Sequence, residues 1–84
     1  MERVAMASSN IKSVGYECGA DGLGTLEVEF RNGGVYRYLG VPAVLHAAMM
    51  GAPSVGAYLH GRIKPRYPCE RVQPEDGEGA LPDG

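Results

Sequence analysis

The run Leu26-Glu27-Val28-Glu29-Phe30-Arg31 limits what this chain can fold into more than any other. Apolar and charged side chains alternate with a period of two, which a strand sorts onto opposite faces and a helix does not. Residues 25–31 therefore read as a strand with Leu26, Val28 and Phe30 buried and Glu27, Glu29 and Arg31 wet. Asn32-Gly33-Gly34 follows. Asn and Gly tolerate positive φ, so the chain turns there and returns as a second strand, Val35 to Val41.

Loop length decides which faces meet. A two-residue loop, Asn32-Gly33, sets Val28 opposite Arg37 and brings a cation beside the core. A three-residue loop, Asn32 to Gly34, sets Phe30 opposite Tyr36, Val28 opposite Tyr38 and Glu29 opposite Arg37. A one-residue slip exchanges the two faces. An unpaired buried arginine is strongly destabilising, whereas a cross-strand Glu–Arg pair contributes about 0.2–1 kcal/mol. The three-residue loop is expected, with Val35 and Leu39 facing outward.

Ile11 to Cys18 supplies a further strand, with Val14, Tyr16 and Cys18 on one face and Ser13, Gly15 and Glu17 on the other. Gly19 to Gly22 turns it into the hairpin. Pro42 suits the first position of a helix, and Val44, Leu45, Ala48 and Met49 recur at helical spacing up to a stop at Gly51. Ser54 caps a second helix, Val55 to about Ile63, whose stripe is Tyr58, Leu59, Arg62 and Ile63. Pro65 and Pro68 end regular structure. The expected fold is α+β: a three-stranded antiparallel meander followed by two short helices packed on one face. Residues 1–7 are expected to be flexible, 8–73 to form the one domain, and 74–84, rich in Glu, Asp, Gly and Pro, to be disordered.

With no tryptophan and only Phe30 besides, the five tyrosines supply most of the aromatic area. The net charge of -2 is uneven. Glu75, Asp76, Glu78 and Asp83 give the tail -4, while residues 1–74 carry all eight bases against six acids, or +2. That excess is too small to argue nucleic-acid binding by itself. No apolar run reaches the length of a membrane span or of a leader peptide, so a cytoplasmic protein is expected. Cys18 and Cys69 are then expected as reduced thiols.

Ser8 to Tyr16, Leu26 to Gly33, Val35-Tyr36-Arg37-Tyr38, Val41-Pro42 and Ser54 to Tyr67 together resemble the KTSC domain, which takes its name from an appendage of some lysyl-tRNA synthetases. The resemblance covers residues 8–67. It implies a small bacterial domain with Tyr36 and Tyr38 as its central motif, and RNA or tRNA as a suggested partner. Leu59 and His60 stand where the family pattern has a Phe-Asn-like pair.

Bases interleaved with aromatics mark the segment Tyr58, His60, Arg62, Lys64, Arg66 and Tyr67. Residues 58–71 carry +3. Cations neutralise phosphates and rings stack on bases, which is what single-stranded nucleic acid requires. Arg37, Tyr58, Arg62, Lys64, Arg66 and Tyr67 are the expected contacts. A solvated rim around a packed Tyr58 accounts for the same pattern. Tyr36 and Tyr38 share one strand face, and the register places them in the core rather than on a stacking platform. An alternative is docking of a protein partner on Val35, Leu39, Met49 and Met50. His46, His60, Cys18 and Cys69 match no metal-ligand spacing, no nucleophile–base pairing is indicated, and neither cofactor nor enzymatic activity is expected.

Overall fold

The computed structural model describes residues 2–72. The expected tail, 74–84, lies outside the described residues. Five strands form one antiparallel sheet in chain order: β1 Arg3–Ala5, β2 Ile11–Cys18, β3 Leu23–Phe30, β4 Val35–Pro42 and β5 Cys69–Arg71. Between β4 and β5 come α1, Ala43–Met50, and α2, Val55–Tyr58, which continues without a break into a π-helical turn, Leu59–Ile63.

The meander and the two helices stand as expected, but the sheet has five strands rather than three. Both additions are three residues long. β1 lies in the segment expected to be flexible and pairs with the free edge of β2, Val4 opposite Val14. β5 follows Pro68 and covers the free edge of β4, Tyr38 opposite Cys69, because the helices return the chain there. Proline ends the helix without preventing a strand from starting beyond it.

The hairpin loop has three residues, but they are Arg31, Asn32 and Gly33. Phe30 N donates to Gly34 O at 2.8 Å and Gly33 N to Phe30 O at 2.9 Å. Gly33 takes φ 101°, the positive-φ residue that closes a type I turn with a bulge. Gly34 is thereby a pairing residue. Every expected pair moves by two positions: Val28 faces Tyr36, Leu26 faces Tyr38, and Glu27 rather than Glu29 faces Arg37. A shift of two leaves the faces unchanged, so the expected inner side survives.

Two bulges alter the alternation. Lys12 is the extra residue between the pairs Ile11–Phe30 and Ser13–Glu29. Gly40, at φ 74°, is the extra residue between Leu39–Thr25 and Val41–Gly24. By strict period two, Ile11 and Val41 would share the wet face with Ser13 and Leu39. Each bulge turns one of them inward, and both are completely buried. They join Val14, Leu26, Val28, Tyr38, Met49, Leu59 and Ile63 in one core. Full burial of each such aliphatic side chain contributes about 1.5–3 kcal/mol.

Pro42 caps α1 from outside, and the helix starts at Ala43. Its inward face is Leu45 and Met49, whereas Val44, expected inside, is 72% exposed. The Ser54 hydroxyl accepts from Ala57 N at 3.2 Å, the expected cap of the second helix. Leu59 and Ile63 are its buried stripe. Arg62, expected on that stripe, is exposed.

Candidate nucleic-acid interface

The two sides of the sheet differ in charge. Away from the helices, the register aligns Arg3, Gly15, Glu27, Arg37 and Glu70 in one row across all five strands. Glu27 is only 5% exposed. Arg3 Nε donates to its Oε2 at 2.8 Å, and Arg37 Nε to its Oε1 at 2.7 Å. Gly15 carries no side chain between Arg3 and Glu27, which leaves room for that reach. Burial pushes the Glu27 carboxyl up, but the hydrogen bonds from Arg37 and Arg3 outweigh it and hold it below its ordinary value. The bond to Glu27 raises the Arg37 guanidinium in turn. Glu29 accepts from Arg3 Nη1 at 3.1 Å and from the Ser13 hydroxyl at 2.9 Å.

The helical side has no such neutralisation. From residue 31 to residue 69 the chain contains no carboxylate side chain, while Arg62, Lys64 and Arg66 project from the end of the second helix. All three are exposed, and among the described residues none makes an ion pair. The π-helical turn splits them. Arg62 lies over the Tyr58 ring, 6.0 Å from its centroid, beside a shallow depression that also includes Pro53, Ala57 and Gly61. Lys64 and His60, one turn apart, lie on the other side of the helix. Lys64 N donates to Leu59 O at 2.8 Å, closing the wide turn. Such turns recur at functional sites.

Lys64 and His60 flank a cleft of about 380 Å³ between the helix and the Ser8-Ser9-Asn10 turn. Its other walls include Phe30 and Tyr38. The Ser8 hydroxyl accepts from Asn10 N and Ile11 N, both at 3.2 Å, which fixes the turn. Arg31 braces it from behind: its Nε donates to Ser8 O at 2.6 Å and its Nη2 to Met6 O at 3.0 Å. Tyr38 is 2% exposed, and its hydroxyl makes no hydrogen bond among the described residues. Burial pushes its phenol up, with smaller contributions from Cys69 and Tyr36. Tyr16 is the contrast. Its hydroxyl donates to Val41 O at 2.6 Å, and its pKa is pushed up to about 12 by burial first and by Cys18 second.

Of the expected contacts, Tyr58 and Arg62 lie together on one side of the second helix and Lys64 on the other, while Arg66 and Tyr67 follow its end; both tyrosines are half-buried against the core. Arg37 does not join them. It belongs to the opposite face, committed to Glu27, because the register that buries Tyr36 and Tyr38 turns residue 37 away. Tyr38 is core, as expected. Tyr36 is half-buried, edge-on to Phe30 at 5.8 Å and 74°, with Arg71 5.9 Å from its ring centroid. The alternative apolar patch does not assemble. Met49 is buried, Met50 packs against the core, and Leu39 faces the opposite side of the sheet. Cys18 and Cys69 are exposed free thiols. His46 stacks on Tyr16 at 4.5 Å and 9°, and burial lowers its pKa. The contribution of Ser9, Asn10 and Phe30 to the cleft is absent from the sequence reading. The spacing of His60 and Lys64 was the available signal for their side of it.

The KTSC domain model matches residues 7–67. The chain belongs to the KTSC domain family. An uncharacterised protein of Stutzerimonas stutzeri (strain A1501) is 39% identical over 67 residues, covering 80% of this chain and 90% of that protein. The crystal structure of a KTSC domain protein from Yersinia pestis superposes with a TM-score of 0.75 at 39% identity, covering 84% of this chain and 96% of that one. A lysine–tRNA ligase of Trichormus variabilis is 40% identical over 48 residues, 57% of this chain but 9% of the ligase. The KTSC segments quoted from the sequence form the helical corner, the Tyr-x-Tyr strand and the cleft walls. No helix among the described residues is long and apolar enough to cross a membrane.

Proposed function

We propose that this KTSC domain is a non-catalytic module that binds RNA, tRNA included, through single-stranded segments laid across its helical corner in the cytoplasm. The observation that carries this reading is the segregation of charge. Glu27 and Glu29 are paired on the far face of the sheet, while Arg62, Lys64 and Arg66 stand exposed without acidic partners among the described residues. Tyr58, under Arg62, and Tyr67 add half-buried rings to the same segment, the combination that suits a phosphate backbone with unstacked bases. The similar segment within a protein named lysine–tRNA ligase agrees with this.

The test is fluorescence anisotropy of a labelled single-stranded RNA with the full chain, from about 50 to 200 mM salt. Three phosphate contacts on a single strand give a slope of log K against log salt of about -2. Arg62→Glu/Lys64→Glu/Arg66→Glu is expected to abolish binding with little change in Tm, since all three side chains are exposed. Absence of binding at the lowest salt, in the wild-type chain and in a variant with Glu75, Asp76, Glu78 and Asp83 made neutral, would refute the reading.

A further inference from the structure

We propose that the cleft between the Ser8-Ser9-Asn10 turn and the second helix seats one nucleotide of the bound RNA, with its base against Phe30 and its phosphate at Lys64 and His60. The inference rests on the RNA reading above and adds to it a defined pocket.

At about 380 Å³ the cleft lies at the small end of the range for ligand pockets, and it combines apolar walls with a few polar groups. Ile11 and Leu59 form its buried floor. Lys64 is a cation at its mouth with no ion-pair partner among the described residues. Phe30, half-buried in the wall, offers a ring on which a base can stack, since every nucleobase presents a π-face. Tyr38, 2% exposed, lies behind it as core.

Gly56 points the same way. It lies in the helical wall of the cleft without a positive φ, so its backbone does not demand glycine. A Cβ there would sit 3.8 Å from Ile11 Cδ1 and 3.9 Å from Asn10 Nδ2, ordinary contact distances. Alanine fits and is the better helix former. What glycine supplies at this position is open space between the helix and the turn.

The experiment is a 15N NMR titration of the full chain with nucleoside 5′-monophosphates and, separately, with a short single-stranded RNA. Lys64→Gln, Gly56→Ala and Gly56→Met are compared with Arg62→Gln/Arg66→Gln, and each variant is checked by thermal unfolding. Amide shifts from the monophosphates are expected at Ser9, Asn10, Ala57, His60 and Lys64. Lys64→Gln is expected to weaken both ligands about tenfold, the loss of one charge-assisted contact. Gly56→Met is expected to block the cleft in a chain that still unfolds cooperatively, and Gly56→Ala to weaken binding while raising Tm. Arg62→Gln/Arg66→Gln is expected to weaken the RNA and leave the monophosphates unchanged. If the RNA binds but its shifts avoid the cleft, or the Gly56 variants bind as wild type, the inference falls and the RNA reading stands. If the monophosphates bind and the RNA does not, the RNA reading falls and takes this occupant with it. If neither binds, both are wrong.

Discussion

Replacing Glu27 by Gln tests the sheet's charged face. The substitution keeps the shape of the side chain and removes its charge, leaving Arg3 and Arg37 facing each other across Gly15 and residue 27. Breaking a buried ion pair costs about 3–5 kcal/mol, whereas an exposed pair is worth about 0.2–1 kcal/mol. Glu27 is buried, but the Arg3 and Arg37 side chains are 32% and 44% exposed, so water screens the two cations. The expected loss is therefore intermediate, about 2 kcal/mol. In a domain of this size that lowers Tm by about 8–16 °C. Circular dichroism melts at neutral pH measure it, with Glu29→Gln as the control expected to lose less than about 1 kcal/mol. Folding lowers the Glu27 pKa, so its stabilisation is complete above the ordinary value of 4.5 and is lost as pH falls through the folded-state value. The wild-type Tm should fall in that acid range more steeply than that of Glu27→Gln. If Glu27→Gln melts with the control and shows the same acid slope as wild type, the row of charges is not a structural element.

Burial lowers the His46 pKa, so its neutral form belongs to the folded state, and stability should decline as pH drops below the ordinary value of 6.5. His46→Phe keeps a ring on Tyr16, and melts at several pH values should show that decline removed. Leu26→Ala opens a cavity beneath Tyr38 and should cost about 2–5 kcal/mol, read from urea unfolding. Gly40→Ala forces a Cβ into a backbone at φ 74° and should cost about 1–2 kcal/mol by the same measurement.

Strand β3 was legible because its alternation is uninterrupted, and the second helix because Ser54 marks its start. The hairpin turn was legible as a turn but not to the residue, since Asn32, Gly33 and Gly34 all accept turn conformations and only the hydrogen bonds show which one takes positive φ. β1 and β5 left no trace, since three residues do not establish a period. Val44 was misplaced because a helix of eight residues defines its inner face poorly when nearly every side chain is apolar. The basic segment 58–67 could be read from the order of its residues, although Arg37, read with it, lies on the other face. The cleft could not, because its walls come from residues 8–11, 30, 38 and 54–64, and only the packing of helix on sheet brings them together.

The bulge at Lys12 disposes of a cation. Counting back by twos from Val14, strict alternation would turn position 12 into the core; the bulge sends it out instead, where the lysine makes only a long contact, 3.9 Å, with Glu29. Deleting the residue would set Ile11 directly beside Ser13 and still opposite Phe30, so plain alternation would keep Ile11 beneath the second helix. What the bulge contributes is an exit for one charged side chain.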